Sequence, residues 1–226
     1  MREDVRMTLA EDFLLLALHE EKGKPVVSVM YVECGLVGAV LGDLLIAGRI
    51  GLAGRKGDEV VVLDPTPLGT PEEDAVLARM VEEKPRRVQW WVNKLKSGLR
   101  RRLLERLVAQ GVLREDHHRV LGFIPVTRHP EANPLPEQEL RVRLTAVLNG
   151  ASADAHTATL LAIVQASRMN RAIFPDLDKK EFKRRVEELH EGGEIGEAVK
   201  KAIQQLEGAM IAAVAAGGAA AASAGG

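Results

Sequence analysis

The sequence predicts a mainly α fold: a single-domain helical bundle core with surrounding amphipathic helices and two small β-hairpins. Helix-start signatures, apolar spacing at helical intervals, and short β-branched runs closed by turns point there. The chain has 226 residues, long enough for a sizeable core without disulfides or metals. Thr8-Leu9-Ala10-Glu11 is a capping box, so a helix should follow through the apolar run Phe13–Leu18. Val26–Ala47 is apolar enough to suggest a membrane span, but Glu33 and Asp43 interrupt it, so a buried helix is expected. Its small residues, Cys34, Gly35, Gly38, Ala39 and Gly42, predict close approach by neighbouring helices.

Arg49–Leu52 and Val60–Leu63 read as a hairpin turning through Gly54–Asp58, and Asp64–Gly69 as a loop. Thr70-Pro71-Glu72-Glu73 opens another helix with a second capping box. Two helices should follow, Arg87–Lys96 and Leu99–Gln110, the second with Leu99, Leu103 and Leu107 on one face. Val112-Leu113, a polar turn at Glu115–His118, and Val120–Ile124 predict a second hairpin. Helices over Glu137–Leu148 and Ala153–Ser167, one from Asp178, and one carrying Ile195, Val199, Ile203, Leu206 and Met210 complete the list. The domain plan is therefore an extension over 1–7, a helical domain over 8–215 and a disordered Ala/Gly/Ser tail over 216–226.

The lone Cys34 cannot form an internal disulfide, which fits a reducing compartment. The acidic start Met1-Arg2-Glu3-Asp4 is not a signal peptide, so a cytoplasmic location is expected. With four Phe, two Trp and one Tyr, the chain is poor in the aromatic platforms that stack on single-stranded nucleic acid. No metalloprotease, phosphate-loop, dinucleotide or nucleophile-elbow motif occurs, so neither an enzyme nor a cofactor is expected. His117 and His118 sit together on the predicted turn, which is poor geometry for one metal. His129 and His156 read as structural.

Charge gives the functional lead. The net charge is −1, yet Lys84–Arg128 holds twelve basic residues against three acids, a balance of +9. Such a segment suits an anionic partner. Its densest part is Arg100-Arg101-Arg102, with Lys94, Lys96 and Arg106 nearby. Leu99 and Leu103 fix the inward face, so the arginines should lie outward or at the rim, where guanidinium forks suit phosphate. A solvated face with Glu105 pairing Arg101 is the plainer reading. Neighbouring helical residues point about 100° apart, so one of Trp90 and Trp91 should be core and the other surface. Indole favours the bilayer headgroup boundary, making Trp90 and Trp91 candidates for membrane contact.

Gly35-Leu36-Val37-Gly38-Ala39-Val40-Leu41 leading into Asp43–Ile50 resembles the "G-L-x-G…L-x-E-L-x-x-x-G-R-I" segment of the Golgi phosphoprotein 3 family. Leu103–Leu113 is similar to its "R-L…L-V-E-K-G-V-L", and Thr127-Arg128-His129-Pro130 to its "T-x-H-P". The Leu-rich first helix and the Pro65–Gly69 loop also fit, so the likeness spans about residues 7–215. The resemblance implies a helical fold and a non-enzymatic peripheral membrane protein that recognises phosphatidylinositol 4-phosphate. It also implies cytosolic tails of membrane enzymes as partners. The compact chain and its Ala/Gly tail look prokaryotic, and the extension used for coatomer is not expected.

The family's headgroup pocket uses a Trp, an Arg inside G-L-x-G, and two basic residues three apart. Those positions fall at Ser28, Val37, Ser97 and Arg100, so only Arg100 matches, with Lys96 beside Ser97. Each lost arginine–phosphate contact should weaken binding by roughly 1.5–3 kcal/mol. The site expected from charge and resemblance together is Arg100, Lys96, Arg101 and Arg102, against an anionic phospholipid membrane. Two alternatives stay open: a protein-interaction scaffold with a degenerate pocket, and a DNA-binding regulator. The second rests on likeness to a winged helix, helices followed by Gly111-Val112-Leu113 and Val120-Leu121.

Overall fold

The computed structural model describes residues 7–120, 123–191 and 196–223. Residues 1–6, Leu121, Ile195 and the tail end 224–226 lie outside them. The fold is mainly α, with nine helices and two small antiparallel sheets among the described residues.

Helix α1 (Leu9–Leu16) starts at the predicted capping box. The Thr8 hydroxyl accepts from the Glu11 N–H, and Glu11 accepts from the Thr8 N–H at 2.9 Å. Helix α2 (Val29–Ile46) is the centre of the molecule, long and apolar enough to cross a membrane, yet mostly buried within the protein. Its glycines explain how neighbours come so near. A Cβ on Gly35 would stand 2.1 Å from the Phe13 ring, and one on Gly42 would stand 2.9 Å from Thr159. Gly38 has the same role against Met210.

Strands β1 (Ile50–Ala53) and β2 (Glu59–Val62) form the first predicted hairpin, with Ile50 opposite Val62. A two-residue strand, β3 (Arg86–Arg87), adds to β2 and carried no sequence signal. Helix α3 (Pro71–Val81) begins at Thr70, but the second capping box does not form. The Thr70 side chain makes no cap bond, and Glu73 is buried instead of reaching back. Asp74 instead ties down the preceding loop, accepting the N–H groups of Leu68 at 2.6 Å and Gly69 at 3.0 Å.

Helix α4 (Val88–Ala109) is broken where two helices are expected to meet. Ser97 (φ −70°, ψ 119°) and Gly98 (φ 84°, ψ −17°) leave helical geometry. Only glycine accepts that positive φ without strain.

The second hairpin departs from expectation. Its strands are β4 (Asp116–Val120) and β5 (Ile124–Arg128), so His117 and His118 lie in a strand, not in a turn. Leu113 is buried and bridges Glu131, which ties the end of α4 to the following linker. The polar run after it pairs because ladder hydrogen bonds need no apolar side chain on a solvent-facing hairpin.

Helices α5 (Leu135–Leu148), α6 (Ala155–Ala166), a single turn α7 (Asn170–Ile173), α8 (Lys179–Glu191) and α9 (Glu197–Ser223) complete the fold. Phe182 and Val186 of α8, and Ile203, Leu206 and Met210 of α9, bury as their spacing predicts. Helix α9 runs to Ser223, past residue 216 where the Ala/Gly/Ser tail is expected to begin. Alanine's leading helix propensity outweighs the glycines there.

Candidate anion site

Four arginines on the second half of α4 take four different directions. Arg101 lies in solvent, 2.8 Å from the exposed Glu105. Arg102 turns to α3, with its Nε donating to the nearly buried Glu72 at 2.7 Å. Arg106 turns to α1 and pairs with the buried Glu11 at 3.0 Å. Arg100 makes no such pair, and its charge is felt by Glu33 of α2 and by His129 past the second hairpin. Arg100 is half-buried, has no carboxylate within 4.0 Å among the described residues, and its buried Nε has no partner there. Burial pushes the Arg100 guanidinium below its usual range, while the charge of Glu33 pulls it back. A fan of about 100° per residue makes this divergence unavoidable. The expected convergence of Arg100, Arg101 and Arg102 on one ligand is therefore absent, because Arg101 and Arg102 are held by carboxylates.

Lys96, the last residue before the break in α4, is also half-buried and belongs to the Arg100 neighbourhood. Burial raises the Cys34 thiol, the Lys96 charge opposes that, and the Glu33 charge adds to it. Lys96, Arg100 and Glu33 thus act on the same stretch of α2. Ser28 is exposed at the N-cap of α2 and Ser97 is exposed at the break, whereas Val37 is fully buried.

The indoles are corrected. Trp91 is 1% exposed and belongs to the core, so it offers no exposed ring to a membrane surface. Its buried face follows from Val88, Val92 and Leu95 on the same side of α4. Trp90 is half-buried, edge-on to Trp91 at 4.8 Å, with Arg86 at 5.0 Å and Lys94 at 5.8 Å from its ring centre. It lines a groove of about 430 Å³ with Arg86, Arg87, Gln89, Asn93 and Glu59. The cations there already have partners: Arg86 faces Glu83 and Arg87 faces Asp58, each at 3.6 Å.

His129, just past β5, feels the charge of Arg100. Half-buried His129 has its pKa lowered by burial, opposed by Glu115 and reinforced by Arg100 and His117. Gly23 (φ +55°) packs here, where a Cβ would stand 2.3 Å from the backbone of His129 and Pro130. At the far end of the β4–β5 hairpin Phe123 is 74% exposed, more than any other large apolar side chain described.

Arg168 and Tyr31 carry no motif and were not legible in the sequence. Arg168, just past α6, has φ +57° and is the one non-glycine with positive φ among the described residues. For an L-residue that costs roughly 1–2 kcal/mol. Its guanidinium stands 5.5 Å from the Tyr31 ring centre and donates to the Tyr31 hydroxyl at 3.4 Å.

The interior beside α1 holds more charge than the sequence suggested. Asp12 accepts from Arg143 at 2.9 Å and contacts His156 at 2.8 Å, which gives His156 a structural place. Asp43 accepts the Leu9 N–H, and burial together with Glu73 pushes its pKa up to about 8.

The family model of Golgi phosphoprotein 3 (GPP34) matches residues 9–206, from the first turn of α1 into α9. The chain belongs to the Golgi phosphoprotein 3 family.

Proposed function

We propose that this protein binds anionic phospholipid headgroups at the cytoplasmic face of a membrane, as a peripheral protein and not as an enzyme. The observation that carries this reading is Arg100: a half-buried guanidinium without a carboxylate partner, beside Lys96, on the arginine-rich helix. A desolvated cation left free by the fold gains more from a phosphate than a solvated one does. The hairpin adds to this reading, since His129 just past β5 feels the Arg100 charge and the exposed Phe123 offers an apolar ring to the headgroup boundary. Trp90 is a weaker candidate, because two cations already cover its ring. Phosphatidylinositol 4-phosphate is the headgroup that family membership suggests, and tails of membrane enzymes are the suggested protein partners.

Co-sedimentation with phosphatidylcholine vesicles, with and without phosphatidylglycerol or phosphatidylinositol 4-phosphate, tests the reading. Binding should appear with either anionic lipid, fall with added salt, and drop about tenfold or more in Arg100→Ala. Failure to bind anionic vesicles at low salt would overturn it. Tighter binding to duplex DNA would favour a nucleic-acid regulator instead.

One observation favours a second reading, a protein scaffold with a degenerate lipid pocket. Val37 is fully buried and Ser97 is uncharged, so two of the three basic positions of the family pocket offer no cation. Vesicle binding that is absent while a membrane-enzyme tail still binds would select it.

A further inference from the structure

Strand β2 is bonded along its whole length on one side only. On the β1 side its residues pair from Glu59 with Ala53 to Val62 with Ile50. On the β3 side only Glu59 and Val60 pair, with Arg87 and Arg86. Backbone hydrogen bonds alternate sides along an antiparallel strand. The Leu63 N–H bonds the Arg49 carbonyl at 2.8 Å, and the Asp58 carbonyl accepts the Val88 N–H at 2.9 Å. Odd-numbered positions of β2 therefore bond toward β1, and even-numbered ones toward β3. The next bonded pair of the second ladder would be Val62 with Lys84, and it is not formed. The N–H and C=O of Val62 thus stand without a partner among the described residues.

That bare edge opens onto a groove. Where the chain between α3 and β3 parts from β2, Val62, Met80, Val81, Lys84, Pro85 and Trp91 line a space of about 320 Å³. Met80 and Trp91 are buried, whereas Val81 is 54% exposed. An apolar lining beside an unpaired strand edge is what an extended chain needs, main-chain bonds for affinity and a pocket for a side chain. Lys84 is exposed and has no carboxylate within 4.0 Å among the described residues. Glu83, also in the lining, already faces Arg86 at 3.6 Å. The unpaired charge of the groove is therefore positive.

We propose that this groove binds an extended acidic peptide segment, which adds a short strand to β2 at Val62 and pairs a carboxylate with Lys84. A branched aliphatic side chain of that segment packs against the apolar lining. A second copy of this chain is a poorer occupant, because its own β2 edge would bring another Lys84 to the same groove. A phosphate can accept the Val62 N–H but has no donor for its carbonyl. The groove shares no residue with the Arg100 site, and the inference does not rest on the headgroup reading.

The test titrates the full chain with a terminally blocked pentapeptide, Thr-Asp-Val-Asp-Thr, and follows the amide resonance of Val62 and indole fluorescence. Saturable binding should shift the Val62 amide as it gains an acceptor. N-methylation of the peptide's valine, which removes its donor, should weaken binding about fivefold or more. Lysines in place of the aspartates should weaken it about threefold to fivefold, and Lys84→Glu, an exposed change that leaves the core alone, should reverse that preference. No binding of the aspartate peptide at about 1 mM would overturn the inference. So would equal binding of the N-methylated peptide, or a charge preference that Lys84→Glu leaves as it was. A Val62 amide that shifts with protein concentration alone, as the chain dimerises, would name a second copy as the occupant and overturn it too. Each of these results leaves the vesicle measurements untouched.

Discussion

Arg100 and Arg106 lie on the same half of α4, yet they belong to different economies of charge. Arg106 points into the bundle, where the buried Glu11 takes its Nε and also caps α1. Arg100 has no carboxylate at contact distance among the described residues, and only the more distant charge of Glu33 acts on it. A buried ion pair is costly to break, because removing one member strands the other's charge. A half-buried cation without a partner is costly to keep and becomes useful only when an anion arrives. The same residue type, drawn from one basic run, thus serves the core on one side and a ligand on the other.

The sharpest way to break that contrast is on the structural side. Arg106→Ala should destabilise the protein by about 2–4 kcal/mol, since Glu11 would remain buried without its cation. Vesicle affinity per folded molecule should stay as it is. Denaturant unfolding beside co-sedimentation checks both, and a loss of binding with stability intact would reverse the assignment.

The next effect concerns the interior acids beside α1. Asp43 has a folded pKa of about 8, raised chiefly by burial, and burial raises Glu137 in the same direction although its partner Arg141 opposes the shift. The folded state therefore holds protons that the unfolded chain releases from about pH 4 upward. The resulting stability is full below the unfolded pKa and is lost as the pH rises to about 8, by up to about 1.4 kcal/mol per pH unit for each group. Melting temperature should fall between about pH 5 and pH 8. Asp43→Asn should flatten that slope, because an amide oxygen still accepts the Leu9 N–H without a charge to bury. An unchanged slope in Asp43→Asn would remove Asp43 from the account.

A smaller effect is expected at the hairpin. Phe123→Ser should weaken vesicle binding about threefold to tenfold and leave stability alone, since the ring is largely exposed. Equal binding by the variant would confine the membrane contact to the cations.

Much of this architecture is legible in the sequence. Thr8 and Glu11 spelled the start of α1, the glycines of α2 announced close packing, and Ser97-Gly98 marked where α4 breaks. These signals are local, and local geometry reads well from sequence. What escaped was long-range or conformational. Nothing in the basic run told Arg102 to seek Glu72, thirty residues away, while leaving Arg100 unpaired. The β4–β5 register could not be read because its strands are polar, and Leu113 is spent on a bridge to Glu131. Arg168 escaped because positive φ is signalled in sequence by glycine, and here an arginine adopts it. Spacing says that one of Trp90 and Trp91 faces inward, and packing makes Trp91 the inner one.

The central claim is that Arg100, and not its neighbour Arg102, meets the lipid phosphate. Measuring the affinity of Arg100→Ala and Arg102→Ala for the same phosphatidylglycerol-containing vesicles tests it most directly. The account predicts that Arg100→Ala loses about tenfold or more, while Arg102→Ala stays near wild type and shows its cost in stability. Equal losses in both variants would mean a diffuse basic surface, and a larger loss in Arg102→Ala would contradict the site itself.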